Sequence, residues 1–103
     1  MSTKAKLNRL SSAWKKDLPA YTIELARDFL RELPTFAFAW GVLGDSLTSL
    51  ARYSEAREAL KKAIRYLPEE RKYLGFARMG HHYSDKGSHK IAERWYRKAL
   101  AAG

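Results

Sequence analysis

The chain contains no cysteine, so neither a disulfide framework nor a thiolate-based zinc site can hold it together, and this usage suits a reducing compartment such as the cytoplasm. Long apolar runs are missing as well. Nowhere do about 18 uncharged apolar residues follow one another to cross a bilayer, and the opening MSTKAKLNRL carries charges where a signal peptide has its apolar core. Proline is scarce, with three residues at 19, 34 and 68, and no Gly/Ser- or Pro-rich linker interrupts the chain. Acidic residues are outnumbered 11 to 20 by Lys and Arg, giving a net charge of +9 and an attraction to acidic surfaces of any class. The excess is spread out: residues 1–36 carry 7 basic and 4 acidic side chains, 37–68 carry 5 and 3, and 69–103 carry 8 and 4, so there is no basic tail. Phosphate-cradling glycine loops and a Ser/His/Asp nucleophile arrangement are absent, and the carboxylates sit among lysines and arginines. No enzyme active site and no cofactor are expected.

What is present is a helical period. Apolar residues recur at three- and four-residue steps: Leu7, Leu10, Trp14; Ala26, Phe29, Leu30, Leu33; Leu43, Leu47, Leu50; Ala56, Leu60, Ala63, Ile64; Ala92, Trp95, Tyr96, Ala99. No segment sustains strand alternation. Thr35, Ser54 and Ser88 are expected to cap the helices that come after them, and Gly87 to end the one before it. Six helices of about 11 to 17 residues joined by short turns result, an all-α chain of hairpins. At 103 residues the chain is expected to be one domain, 1–103.

The segment WGVLGDSLTSLARYSEAREALKKAIRYLP, Trp40 to Pro68, is echoed by the residues C-terminal to it. At a constant offset of 36, Trp40 matches Phe76, Leu43 Met79, Gly44 Gly80, Leu47 Tyr83, Ala51 Gly87, Ala56 Ala92, Leu60 Tyr96 and Ala63 Ala99. The small residues at 44 and 80, with Ala56 and Ala92 opposite, let two helices of a hairpin approach closely while bulky residues fill the space around them. These residues resemble the tetratricopeptide repeat, whose W-x2-L-G-x2-Y, A-x3-F and P pattern is met by Trp40, Leu43, Gly44, Ala56 and Pro68, with Leu47 and Leu60 replacing aromatics. The resemblance implies a right-handed superhelical array of three antiparallel helix hairpins, with repeats at about 4–35, 36–69 and 70–103. The first is degenerate. Leu7, Leu10, Ser11 and Trp14 match the second repeat at an offset of 33 but Pro34 matches Pro68 at 34, which implies a one-residue insertion in the first turn. Its second helix puts Thr22, Ala26 and Phe29 where the second repeat has Ala56, Leu60 and Ala63, so small and large residues exchange places. The last repeat stops at RKALAAG without the extra polar helix common in similar arrays, so the expectation is either that the chain is a segment of a longer array or that apolar surface around Trp95, Leu100 and Ala101 meets a partner or a second copy.

The resemblance also implies a function. Arrays of this family serve as binding scaffolds whose first helices line a concave groove for a peptide or helix of another protein. In the family's register the groove-facing positions are Asn8, Ser12 and Lys15; Phe38, Gly41, Asp45, Thr48 and Ser49; and Leu74, Arg78, His81, Ser84 and Asp85. The family's carboxylate clamp is not expected, because only Arg78 stands at a matching place and Val42 and Leu74 replace its polar and basic members.

A different class of partner is suggested by the outer face, where matching register aligns Arg27, Lys61 and Arg97, with Lys62 and Lys98 beside two of them. Such a column could contact phosphates of nucleic acid or another anionic surface. Interleaved Glu24, Asp28, Glu55, Glu58 and Glu93 make the same column readable as an ordinary charged helix surface. His81, His82 and His89 cluster in sequence, but His82 points to another side of the helix and His89 lies beyond Gly87, so no metal site is expected.

Overall fold

The computed structural model, which describes all residues from Met1 to Gly103, consists of six helices: α1 Thr3–Lys15, α2 Pro19–Glu32, α3 Ala37–Ser49, α4 Tyr53–Tyr66, α5 Lys72–Lys86 and α6 His89–Ala102. A short 3-10 turn, Glu69–Arg71, precedes α5, and there is no strand. Each odd helix packs against the even helix after it, and α3 and α5 each pack also on the even helix before them. Contacts of α1 with α3 and of α3 with α5 run along the side formed by the first helices. The three hairpins therefore stack into an elongated all-α array of 42 × 29 × 21 Å.

All three hairpins turn in the same way. Asp17, Ala51 and Gly87 have φ of 56°, 58° and 90°, in the left-handed region, and each donates its N–H three residues back, to Trp14, Thr48 and Ser84. The next residue in each case donates five back, Leu18 to Ala13, Arg52 to Leu47 and Ser88 to Tyr83. This paired bonding is the Schellman ending of a helix, which satisfies carbonyls that would otherwise be orphaned. Only the third turn uses the glycine that the conformation favours; Ala51 accepts strain of about 1 kcal/mol for it. The second helices then begin two residues later, at Pro19, Tyr53 and His89.

The common turn fixes the register and corrects the sequence reading of the first hairpin. Counted from the left-handed residue, the turns are 34 and 36 residues apart, so nothing is inserted in the first one. Seven residues before each turn stand Leu10, Gly44 and Gly80, and nine after it stand Ala26, Leu60 and Tyr96. A Cβ on Gly44 would lie 2.5 Å from Leu60 Cδ2, and one on Gly80 would lie 2.6 Å from the Tyr96 ring. In the second and third hairpins the first helix is small and the second large. In the first hairpin the roles are reversed, with Leu10 and Ala26 both fully buried. A second correspondence supports the count. Lys62 Nζ lies 4.5 Å from the Trp40 ring and Lys98 Nζ 4.8 Å from that of Phe76, and at the same two positions the first hairpin has Lys6 and Asp28, an ion pair at 3.9 Å.

The expected caps are not used. Ser2 alone caps by its side chain, accepting from Ala5 N at 3.1 Å. Thr35 lies two residues before α3 and Ser54 falls inside α4, while Ser88 precedes α6 without a side-chain cap bond. The reason is the turn itself. Leu18, Arg52 and Ser88 are held at ψ of 75°, 66° and 70°, away from the extended conformation, ψ 159° at Ser2, from which a hydroxyl reaches back to the helix N–H groups.

Stacking explains what is buried. Leu10, Ile23, Ala26, Phe29, Leu30, Ala39, Val42, Leu43, Leu47, Ala56 and Ala59 form one core running through the first two hairpins. The stacking face of α2 is closed by α3, leaving Leu30 7% exposed. That of α4 is closed by α5, where a Cβ on Gly75 would lie 2.5 Å from Ile64 Cγ1. Leu100 is the equivalent residue of α6 and is 81% exposed. Thr48, placed in the groove by the sequence reading, is instead buried, its Oγ1 2.8 Å from His82 Nδ1. His82 is fully buried, edge-on to Tyr53 and Tyr83 at 5.6 and 4.9 Å, and its Nε2 has no partner. Burial pushes its pKa down, with Arg57, Lys86 and His81 adding to the effect and Asp85 opposing it.

Gly44→Leu should destabilise the chain by about 1–3 kcal/mol through overpacking, and adding Leu60→Ala should recover most of the loss, since that pair reproduces Leu10 and Ala26; thermal melts of the single and double variants check this. The fold holds His82 neutral, so its contribution is complete above the unfolded value of about 6.5 and is lost as pH falls through that value toward the depressed folded one. Melting temperature should therefore drop between about pH 7.5 and 5.5, and His82→Gln should flatten the drop.

Candidate functional site

The first helices α1, α3 and α5 all contribute to the wall of a hollow along their shared side. Trp14 comes from the last turn of α1, Asp45 from the middle of α3 and Arg78 from the middle of α5. The Arg78 guanidinium pairs with the Asp45 carboxylate and lies 5.4 Å from the Trp14 ring. Gly41 makes this possible: a Cβ there would stand 3.0 Å from Arg78 Cζ, so the missing side chain lets the planar guanidinium approach the α3 backbone. Trp14 meets Phe38 edge-on, with ring centroids 5.9 Å apart. The result is a chain of contacts from the first hairpin to the third, Phe38–Trp14–Arg78–Asp45.

Around it lies a hollow of about 500 Å³ lined by Trp14, Asp17, Asp45, Ser49, Leu74, Ala77, Arg78 and His81. Leu74 and Arg78 also border a second hollow of about 310 Å³, whose apolar wall includes Phe36, Phe38 and Leu67. The two give a surface that is mostly apolar at the Phe36, Phe38 and Leu67 end and mostly polar from Arg78 and Asp45 to Asp17. Both ends of the ion pair are mostly covered, with side-chain exposures of 22% for Arg78 and 20% for Asp45. Burial pushes the Asp45 carboxyl up, while Arg78, His81 and the Trp14 indole N–H draw it back down. A half-desolvated pair of this kind offers a ligand both donors and an acceptor at well-defined positions, with electrostatics strengthened by the low local dielectric.

Of the groove residues expected from the sequence, Phe38, Asp45, Leu74, Arg78 and His81 are brought together, with Gly41 and Ser49 among them. Asn8, Ser12 and Lys15 are not. They line a separate polar surface with Ser11 and Lys16; for Asn8 and Ser12 the offset of 33 used for the first hairpin is one residue short, and one residue turns a helix by about 100°, whereas Lys15 keeps the position of Ser49 but does not line the hollow. Counted from the turn, Asn8 and Ser12 match the buried Val42 and Ser46, and both are exposed. Thr48 is withdrawn to His82, and Asp85 lies outside the hollow with its carboxylate 3.5 Å from the Tyr53 hydroxyl. Trp14 is the groove residue that the sequence reading misses. Pro19 is the signal that locates it, since proline favours the first helical position and thereby sets the turn two residues earlier.

The outer face carries the basic residues Arg27, Lys61, Lys62, Arg97 and Lys98, and each has a partner within the chain. Arg27 pairs with Glu55 at 3.0 Å, Lys61 with Glu58 at 3.5 Å and Arg97 with Glu93 at 2.6 Å. Lys62 sits over Trp40, and Lys98 over Phe76 and Trp95. The column is thus a set of local pairs and not an open stripe of positive charge.

No helix of the chain is long and apolar enough to cross a membrane. No curated protein matches the chain. Residues 39–69 match the family model of the tetratricopeptide repeat, a span that covers most of α3, all of α4 and the start of the 3-10 turn. Repeats of this family mediate protein–protein interaction and typically act as non-catalytic scaffolds. The matched hairpin is thus similar to a tetratricopeptide repeat, and the hairpins on both sides of it turn and stack as it does, an all-α array of the tetratricopeptide-like kind.

Proposed function

We propose that the chain is an interaction scaffold whose concave side, from Trp14 across Asp45 and Arg78 to Leu74 and Phe38, receives a peptide or helix of a partner protein. The observation that carries this reading is the continuity of the groove: one half-buried ion pair, set against an indole and flanked by a mostly apolar hollow on one side and a mostly polar one on the other, joins all three hairpins. An apolar side chain of the ligand fits the Phe38 and Leu74 end. A polar or charged neighbour fits beside Asp45 and Arg78, where hydrogen bonds are strong and a mismatched ligand leaves the pair unsatisfied. Central aromatic and arginine side chains in a covered setting are the usual carriers of interface energy. The paired cations of the outer face give no comparable support to binding of nucleic acid there.

Peptides selected by the intact chain from a random display library provide the test. Phe38→Ala combined with Arg78→Gln should raise their dissociation constants at least tenfold, about 1.4 kcal/mol, while Lys61→Glu combined with Arg97→Glu should leave them nearly unchanged. The opposite pattern, with a salt slope reduced by about one unit per lost phosphate contact for a nucleic-acid ligand, would move the function to the outer face.

A further inference from the structure

On the side away from the groove, α2 and α4 leave a cleft of about 520 Å³ floored by α3. Its inner wall is apolar, made by Leu30, Trp40, Leu43, Leu47 and Ala59, and Lys62 stands at its edge. The third hairpin contains the same construction, and the common turn register pairs the two residue by residue. Trp40 and Lys62 correspond to Phe76 and Lys98, while Leu47 and Ala59 correspond to Tyr83 and Trp95. In the third hairpin the Lys98 ammonium lies over two rings, 4.8 Å from Phe76 and 5.3 Å from Trp95, and those rings are 6.0 Å apart. In the second hairpin Lys62 lies 4.5 Å from Trp40 and has no second ring. The place of that ring is held by Ala59, which lines the cleft. The molecule thus contains one complete ring–ammonium–ring arrangement and one that lacks a ring and has a cavity beside it.

We propose that this outer cleft binds the aromatic side chain of a partner polypeptide, an indole above all, inserted beside Ala59 so that it completes with Trp40 and Lys62 the arrangement that Phe76, Lys98 and Trp95 already form. The apolar floor supplies the burial, and the ring faces attract the ammonium. At the mouth the Arg27–Glu55 pair joins α2 to α4 at 3.0 Å, and Glu58 is engaged by Lys61. Glu55 is shared with Arg52 and Arg31 pairs with Asp28, so the carboxylates at the mouth are already engaged by cations of the chain, and what the cleft offers a ligand is the face of Trp40 beside Lys62. Ser54 and Glu58 at the rim carry oxygens that can accept an indole N–H, which separates tryptophan from phenylalanine. The cleft shares no lining residue with the groove hollow around Trp14 and Arg78, so the two sites are independent.

Amide and indole NMR shifts of the intact chain, titrated with N-acetyl-tryptophan amide, test this. The expected result is saturable movement of Leu43, Leu47, Ala59, Lys62 and the Trp40 indole N–H, with Trp14 and Ala77 unmoved and with N-acetyl-leucine amide at least tenfold weaker. Ala59→Trp should supply the missing ring from within, keep the helical circular dichroism and abolish the response. Trp95→Ala should open the third hairpin in the same way and add a second set of shifts at Phe76, Met79 and Lys98. The proposal is overturned by the absence of saturable shifts at the cleft, by an equal response to the leucine compound, or by a folded Ala59→Trp chain that binds as before. Should Ala59→Trp fail to fold, Trp95→Ala decides: a second set of shifts supports the proposal and its absence sinks it. Free indole binding more tightly than the capped residue would make the occupant a small aromatic molecule, contrary to the proposal.

Discussion

Within each hairpin the two helices cross so closely that only one of the facing residues can be large. Gly44 accommodates Leu60, Gly80 accommodates Tyr96, and Ala26 takes the small role opposite Leu10. This is a volume constraint on a pair and not a preference at one site, which is why the chain can satisfy it with either helix as the small partner. Everything else depends on it. The crossing sets how the hairpin sits on the next one, and the stacked hairpins decide which residues of α1, α3 and α5 share a wall.

The left-handed turns make the constraint repeatable. By ending each first helix with the same pair of backbone bonds, they start each second helix at the same distance, so residues seven before and nine after the turn meet in all three hairpins. Ala51 adopts the conformation at a cost that glycine would avoid; the geometry of the crossing outweighs it. The groove inherits its order from this repetition. Trp14, Asp45 and Arg78 come from three hairpins, yet the indole, carboxylate and guanidinium form one contact chain, with Gly41 giving up its side chain so that Arg78 can lie close. On the proposed reading, the tetratricopeptide-like array supplies the surface and these residues set what it would recognise.

Much of this is legible in the residues. The helical period and the match of Trp40–Ala63 with Phe76–Ala99 give the hairpins, and the pairing of Ala51 with Gly87 anticipates a shared left-handed turn. Phe38, Asp45, Leu74, Arg78 and His81 fall on the groove side because the second and third repeats align correctly. The first hairpin defeats the same method for a physical reason. A repeat is recognised by residue size, and Leu10 with Ala26 conserves the sum of two sizes while exchanging them, so the alignment slips by one residue and carries Asn8 and Ser12 onto the wrong face. Thr48 is misread because its partner, His82, comes from the next hairpin, and a buried polar pair between hairpins leaves no periodic trace. The caps fail because a hydroxyl before a helix helps only where the backbone is extended, and the turn forbids that at Ser88.

The register of the first hairpin is the central claim, and the sign of φ at the turn residues reports it most directly. Backbone coupling constants and cross-correlated relaxation measured in solution should give a positive φ at Asp17, Ala51 and Gly87 and a negative φ at Lys16, Leu18 and Leu50. A positive φ at Leu18 in place of Asp17 would contradict the account, for it would shift the first hairpin by one residue, return Asn8 and Ser12 to the groove and take Trp14 out of it.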